Sequence, residues 1–125
     1  MINGVRKIVV PVADQQSAKD FWTIKVGFEV VFDEAYGEER WIEVTPPDRG
    51  VVLVISQRKP LEARIDVSDQ LPHSPIFFNC VDIEKTYAEL CARGVRFPAP
   101  PAKMPFGWWS MFEDHEGTRY ALGQW

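Results

Sequence analysis

Histidine and cysteine are scarce here, with two of each in 125 residues. No Cys-x-x-Cys spacing occurs, so nothing suggests structural zinc, and two cysteines are too few for a disulfide framework. Cys80 and Cys91 are expected to be reduced core thiols. A basic cluster is missing too. Lys and Arg total 14 against 18 Asp and Glu, for a formal charge of −4, and the cations are scattered, which argues against a nucleic-acid partner. Long apolar runs are absent. The N-terminal run from Ile8 to Ala13 is far short of a membrane span or a signal sequence, so no membrane partner is expected and a cytoplasmic location is. What the chain does contain is apolar and aromatic: 46% hydrophobic and 13% aromatic residues, the composition of one compact folded domain over 1–125.

The chain reads as one unit written twice. Lys7-Ile8-Val9-Val10-Pro11-Val12-Ala13-Asp14 lies over Pro75-Ile76-Phe77-Phe78-Asn79-Cys80-Val81-Asp82 at an offset of 68 positions, and Trp41 and Trp109 repeat that offset. In each copy an apolar strand runs into an Asp, a helical pattern follows, and a Gly ends it (Gly27, Gly94) before the next strand. Self-similarity at a fixed offset dictates the fold. It predicts an α+β protein of two βαβββ modules, module one over 1–57, a connector over 58–71 and module two over 72–125.

Local signals place the elements. The first strand is expected at about Val5 to Val12, with Asp14 capping a helix whose Ala18, Phe21, Trp22 and Val26 form one apolar stripe. Ile83, Tyr87, Leu90 and Cys91 form the matching stripe after Asp82. Strands are expected at Phe28 to Asp33, Arg40 to Thr45 and Val51 to Ser56, with a turn at Pro46-Pro47-Asp48-Arg49-Gly50. In module two a strand is expected to begin at Val95-Arg96-Phe97. Pro98, Pro100, Pro101 and Pro105 then forbid a central strand between Phe97 and Gly107, which predicts an apolar loop at Met104-Pro105-Phe106-Gly107-Trp108. Strands from Trp109 to Glu113 and from about Arg119 to Gln124 complete the module.

Three segments carry a resemblance to a known family: the strand ending Pro11-Val12-Ala13-Asp14, the Ala18…Phe21-Trp22 helix leading to Gly27-Phe28-Glu29-Val30, and the closing Asp114-His115-Glu116-Gly117-Thr118…Leu122-Gly123-Gln124. Over nearly its whole length the chain resembles the vicinal oxygen chelate superfamily, which includes glyoxalase I, bleomycin resistance proteins, fosfomycin resistance enzymes and extradiol dioxygenases. The resemblance implies a cupped, eight-stranded mixed sheet with helices on the outside. One such scaffold hosts many chemistries and pure binders as well.

The resemblance also implies four inward positions that hold a divalent metal in members that use one. Carried over, they are Lys7, Val54, Pro75 and Ala121. A charged ammonium has no free lone pair, and the other three side chains offer no donor atom. The expectation is therefore no metal and no cofactor. A displaced site using His73 and Glu43 is the competing reading: His73 lies two residues before Pro75, on the same strand face and roughly 7 Å away. Two ligands are fewer than a catalytic zinc site has. His115, in the Asp-x-x-Gly turn, reads as a surface turn residue.

By strand alternation from those positions, Lys7, Val9, Trp41, Glu43, Val52, Val54, Phe77, Asn79, Trp109, Met111 and Ala121 share the inward face, while Ile8, Val10, Val44, Ile76, Phe78, Phe112 and Leu122 pack beneath the helices. Aromatic walls with a few polar groups make a small-molecule pocket. Lys7 is a candidate for meeting a ligand carboxylate or phosphate, or for reaching out to solvent. The expected function is metal-free binding of a small apolar or aromatic ligand by a homodimer. The alternatives are a metal-dependent lyase or dioxygenase with a displaced site, a metal-free isomerase using Glu43 as base, and a structural or regulatory subunit.

Overall fold

In the computed structural model, residues 1–58 and 74–124 are described. The chain divides into two compact units, Met1–Arg64 and Ile65–Trp125. Each contains a four-stranded mixed sheet and one helical segment, so the eight strands form two sheets of identical topology. The first unit runs β1 (Lys7–Val12), α1 (Gln15–Asp20) with a π-helical turn (Phe21–Lys25), β2 (Glu29–Tyr36), β3 (Glu39–Thr45) and β4 (Val52–Gln57). The second runs β5 (Phe77–Asn79), α2 (Ile83–Ala92), β6 (Ala102–Met104), β7 (Gly107–Glu113) and β8 (Arg119–Gln124). The sheet orders are β1-β4-β3-β2 and β5-β8-β7-β6, with the first pair parallel and the others antiparallel in each. This is the βαβββ repeat expected from the offset of 68.

Both helices begin as the sequence predicts. Asp14 accepts from Ser17 N at 3.0 Å and Asp82 from Lys85 N at 3.2 Å, each satisfying an orphan amide of the first turn. Both are followed by a glycine at positive φ, Gly27 at 93° and Gly94 at 87°, where a side chain would be strained. The first helix departs from a regular stripe. Val26 N donates to Phe21 O at 3.1 Å across five residues, a widened turn that swings Val26 to a half-buried position while Ala18, Phe21 and Trp22 stay buried. Phe21 and Trp22 meet edge-on at 5.2 Å, and Phe28 stacks on Trp22 at 5.4 Å.

The core of the first unit lies between this helix and one face of its sheet, on Val10, Val12, Ile42, Val44, Leu53 and Ile55, all nearly or fully buried. Gln15 is buried among them. Its Nε2 donates to Arg40 O (2.6 Å) and Ile55 O (2.9 Å) and its Oε1 accepts from Arg40 N (3.2 Å), bridging β3 and β4 beyond the Ile42 and Ile55 pair where their ladder stops. In the second unit Phe112 meets Phe78, Phe97 and Tyr120 at 5.7 to 6.0 Å over buried Ile83, Leu90, Val95 and Leu122.

Several expectations are corrected. Cys91 is exposed and Cys80 half-buried, so neither is a fully buried core thiol. Cys91 sits eight residues after Ile83, about 80° around the helix, where the stripe defined by Ile83 and Leu90 has run out. Val95-Arg96-Phe97 forms no strand but a single bridge, Arg96 to Glu113. The proline-rich stretch does contain a strand, β6, and it lies at the sheet edge, where prolines cost no ladder bond. Met104, Gly107 and Trp108 therefore belong to the β6–β7 hairpin rather than to a loop, which leaves Pro105-Phe106 as the turn. Apart from Arg58, the connector over 58–71 lies outside the described residues, as does His73.

Candidate functional site

Register decides which side chains share a face. In the first sheet Lys7 pairs with Val52, Val9 with Val54, and Glu43 with Val54, so Lys7, Val9, Val52, Val54, Trp41 and Glu43 lie on the face away from the helix, as expected. Val52 and Val54 are buried in its floor, whereas Val9 is 61% exposed. In the second sheet Phe77 pairs with Ala121, Asn79 with Gly123, Met111 with Ala121 and Trp109 with Gly123. Phe77, Asn79, Trp109, Met111 and Ala121 thus share a face of their own unit. Phe77 is half-exposed at its surface, and Trp109 meets Phe106 edge-on at 6.3 Å.

The first unit holds a groove of about 550 Å³, within the usual range for small-molecule sites. Lys7, Trp41 and Glu43 line it, together with Phe32, Glu34 and Tyr36 of β2. Glu34 and Tyr36 lie beyond the strand end expected at Asp33, and Phe32, inside the expected strand, takes its face from a bulge. The two-residue spacing of Phe32, Glu34 and Tyr36 up to the Gly37 turn is the signal that extends the strand. A bulge between Val30 and Phe32 resets the face: Val30 pairs with Val44, beneath the helix, but Phe32 pairs with Glu43, on the groove. Tyr36 and Trp41 meet at 5.7 Å and 59°, forming an aromatic wall.

Glu43 is the polar centre of the groove. It is 7% exposed. Its Oε2 accepts from Lys7 Nζ at 2.7 Å and from Trp41 Nε1 at 2.7 Å. The Lys7 ammonium, with help from the indole N–H, holds the Glu43 carboxyl below its usual range against the opposing effect of burial. Lys7 therefore meets a carboxylate of its own chain. Its side chain remains 43% exposed, so the pair is open to solvent on one side.

The side chains at the four positions that the resemblance carries over do not make a set of metal donors. Lys7 is an ion-paired ammonium, Val54 and Ala121 are buried hydrocarbon, and Pro75 offers no side-chain donor. Among the described residues no group of three or more His, Cys, Asp or Glu is placed to hold a metal. His115 lies 3.8 Å from Glu116 in the turn closed by Asp114, whose Oδ1 accepts from Glu116 N and Thr118 N at 3.0 Å each. Ser74, which the sequence reading passed over, staples the start of β5: its Oγ accepts from Ala121 N at 2.9 Å.

Comparison with known proteins agrees with this architecture. The family model described as the Glyoxalase/Bleomycin resistance protein/Dioxygenase superfamily matches residues 4–122. The uncharacterised protein YetH of Bacillus subtilis (strain 168) is 37% identical over 123 residues, covering 98% of each chain. Among solved structures, UcmS2 superposes with a TM-score of 0.84 at 32% identity over 100% of both chains. TnmS3, an antibiotic binding protein from Streptomyces sp. CB03234, superposes with a TM-score of 0.82 at 31% identity over 98% of this chain and 96% of its own. By topology and by sequence, the chain belongs to the Glyoxalase/Bleomycin resistance protein/Dioxygenase superfamily.

Proposed function

We propose that this protein is a metal-free binder of a small apolar or aromatic molecule, held in the groove of the first unit. The observation that carries the reading is the groove itself, with Phe32, Tyr36 and Trp41 around one buried, hydrogen-bonded carboxylate. Flat apolar walls supply affinity and a single fixed polar group supplies orientation, the usual division of labour in ligand sites. TnmS3 is described as an antibiotic binding protein, and that supports the same class of ligand here. The Phe77, Asn79, Trp109 and Met111 face of the second unit is proposed as ligand-contacting surface as well.

The chemistry of Glu43 favours binding over catalysis. A carboxyl held below its ordinary range by an ammonium and an indole N–H is a weak base, poorly matched to abstracting a proton near neutral pH.

A screen of aromatic antibiotics and metabolites by tryptophan emission tests the proposal. A bound aromatic ligand stacks on Trp41 or Trp109 and alters its emission. Trp41→Ala or Trp109→Ala should weaken that ligand beyond about threefold, roughly 0.7 kcal/mol. A ligand whose affinity neither substitution moves would refute the placement.

A further inference from the structure

The two oxygens of the Glu43 carboxylate are not equivalent. Oε2 takes both available donors, Lys7 Nζ and Trp41 Nε1, each at 2.7 Å. Oε1 receives no hydrogen bond from the described residues. The residue that carries it is more than nine-tenths buried and lines the groove. An ionised carboxylate only accepts; Oε1 remains accessible from the groove, and a ligand that covers it without offering a donor strips it of water and leaves it unmatched, which is costly. From this geometry we infer that Glu43 is a specificity-determining residue: the groove selects flat aromatic ligands that carry an O–H or N–H donor, which Oε1 accepts. The inference rests on the binding reading above and adds to it the chemical class of the ligand.

Lys7 and Trp41 act here as positioning residues. By fixing Oε2 they fix the direction of Oε1, and by holding the carboxyl ionised they keep it from becoming a donor itself. The same anchoring makes Glu43→Gln informative. The amide oxygen is the only atom of glutamine that can accept from Lys7 and Trp41, so the amide NH₂ is left where Oε1 stood. The substitution turns an acceptor into a donor with almost no change of shape.

The probes are 2-naphthol and 2-methoxynaphthalene, equal in aromatic area and differing in the donor. Binding is read from the Trp41 indole N–H resonance, which reports groove occupancy directly. Since a hydrogen bond to a charged group is among the stronger ones, 2-naphthol should bind at least about tenfold more tightly than the ether. In Glu43→Gln that ratio should collapse to about twofold or less. In the unaltered protein the Glu43 carboxyl carbon resonance should move with 2-naphthol and stay with the ether, a measurement that does not depend on the variant folding. Equal affinities for the two probes, or a preference that survives in Glu43→Gln, would overturn the inference and leave the binding groove standing. If neither probe moves the indole resonance, the groove reading itself fails, and the inference fails with it.

Discussion

Asp33 shows how strongly one exposed-edge carboxylate can be held. Arg40 grips it with two donors, Nε to Oδ1 at 3.1 Å and Nη2 to Oδ2 at 2.6 Å, and Lys19 of the first helix adds a third at 2.7 Å. Arg40 first and Lys19 second lower its pKa from 3.8 to about 2. The folded state thus binds the proton more weakly than the unfolded chain. The stabilisation is complete above about pH 4 and is lost as pH falls through about 2. With solvent screening it amounts to about 1 kcal/mol. Urea denaturation should show Asp33→Asn less stable by that amount at pH 7, and the two proteins should converge towards pH 2. A gap that is unchanged at pH 2 would mean that the charge of Asp33 is not what stabilises.

At the scale of elements, the first helix is joined to its sheet by packing and by one polar side chain. Trp22 and Ala18 are fully buried against the sheet, and Gln15 bonds Arg40 N, Arg40 O and Ile55 O at the point where the β3–β4 ladder stops. Gln15→Ala removes these three hydrogen bonds from a buried site and should cost about 2 to 3 kcal/mol in chemical denaturation. Gln16→Ala, one position on and exposed, removes only surface bonds to Asp20 and Arg40 and should cost less than about 0.5 kcal/mol. Equal losses from the two substitutions would show that the Gln15 bridge carries no special weight.

At the scale of the whole molecule, β2 stands out. It forms the outer edge of its sheet and carries Val30, Val31, Phe32 and Tyr36 between 44% and 67% exposed. Sheet edges of this kind are normally paired or covered. The proposal is a twofold homodimer, for which light scattering at micromolar concentration should return twice the 14.4 kDa chain mass; a monomer mass would contradict it. Because the donor set does not suit a metal, chelator should leave the melting temperature unchanged. A protein that purifies with one equivalent of bound metal would overturn that expectation. Among the described residues no helix is long and apolar enough to cross a membrane.

The sequence by itself determined the features that depend on local chemistry and on periodicity. The repeat at 68, the cap at Asp14 and the terminating glycines Gly27 and Gly94 follow from spacing, and alternation puts Lys7, Trp41 and Glu43 on one face of their sheet and Phe77 and Trp109 on one face of theirs once the resemblance supplies the starting positions. Alternation cannot report where a strand gains a residue or which neighbour a charge finds. The bulge at Val31, the extension of β2 to Tyr36 and the π turn that moves Val26 were settled by cross-strand pairing and helix packing. Cys91 is exposed because it lies about 80° around the helix from Ile83, past the packed face. The tertiary structure alone brought Lys7 and Trp41 onto a single oxygen of Glu43, because partners 36 residues apart meet only when β1, β4 and β3 align side by side.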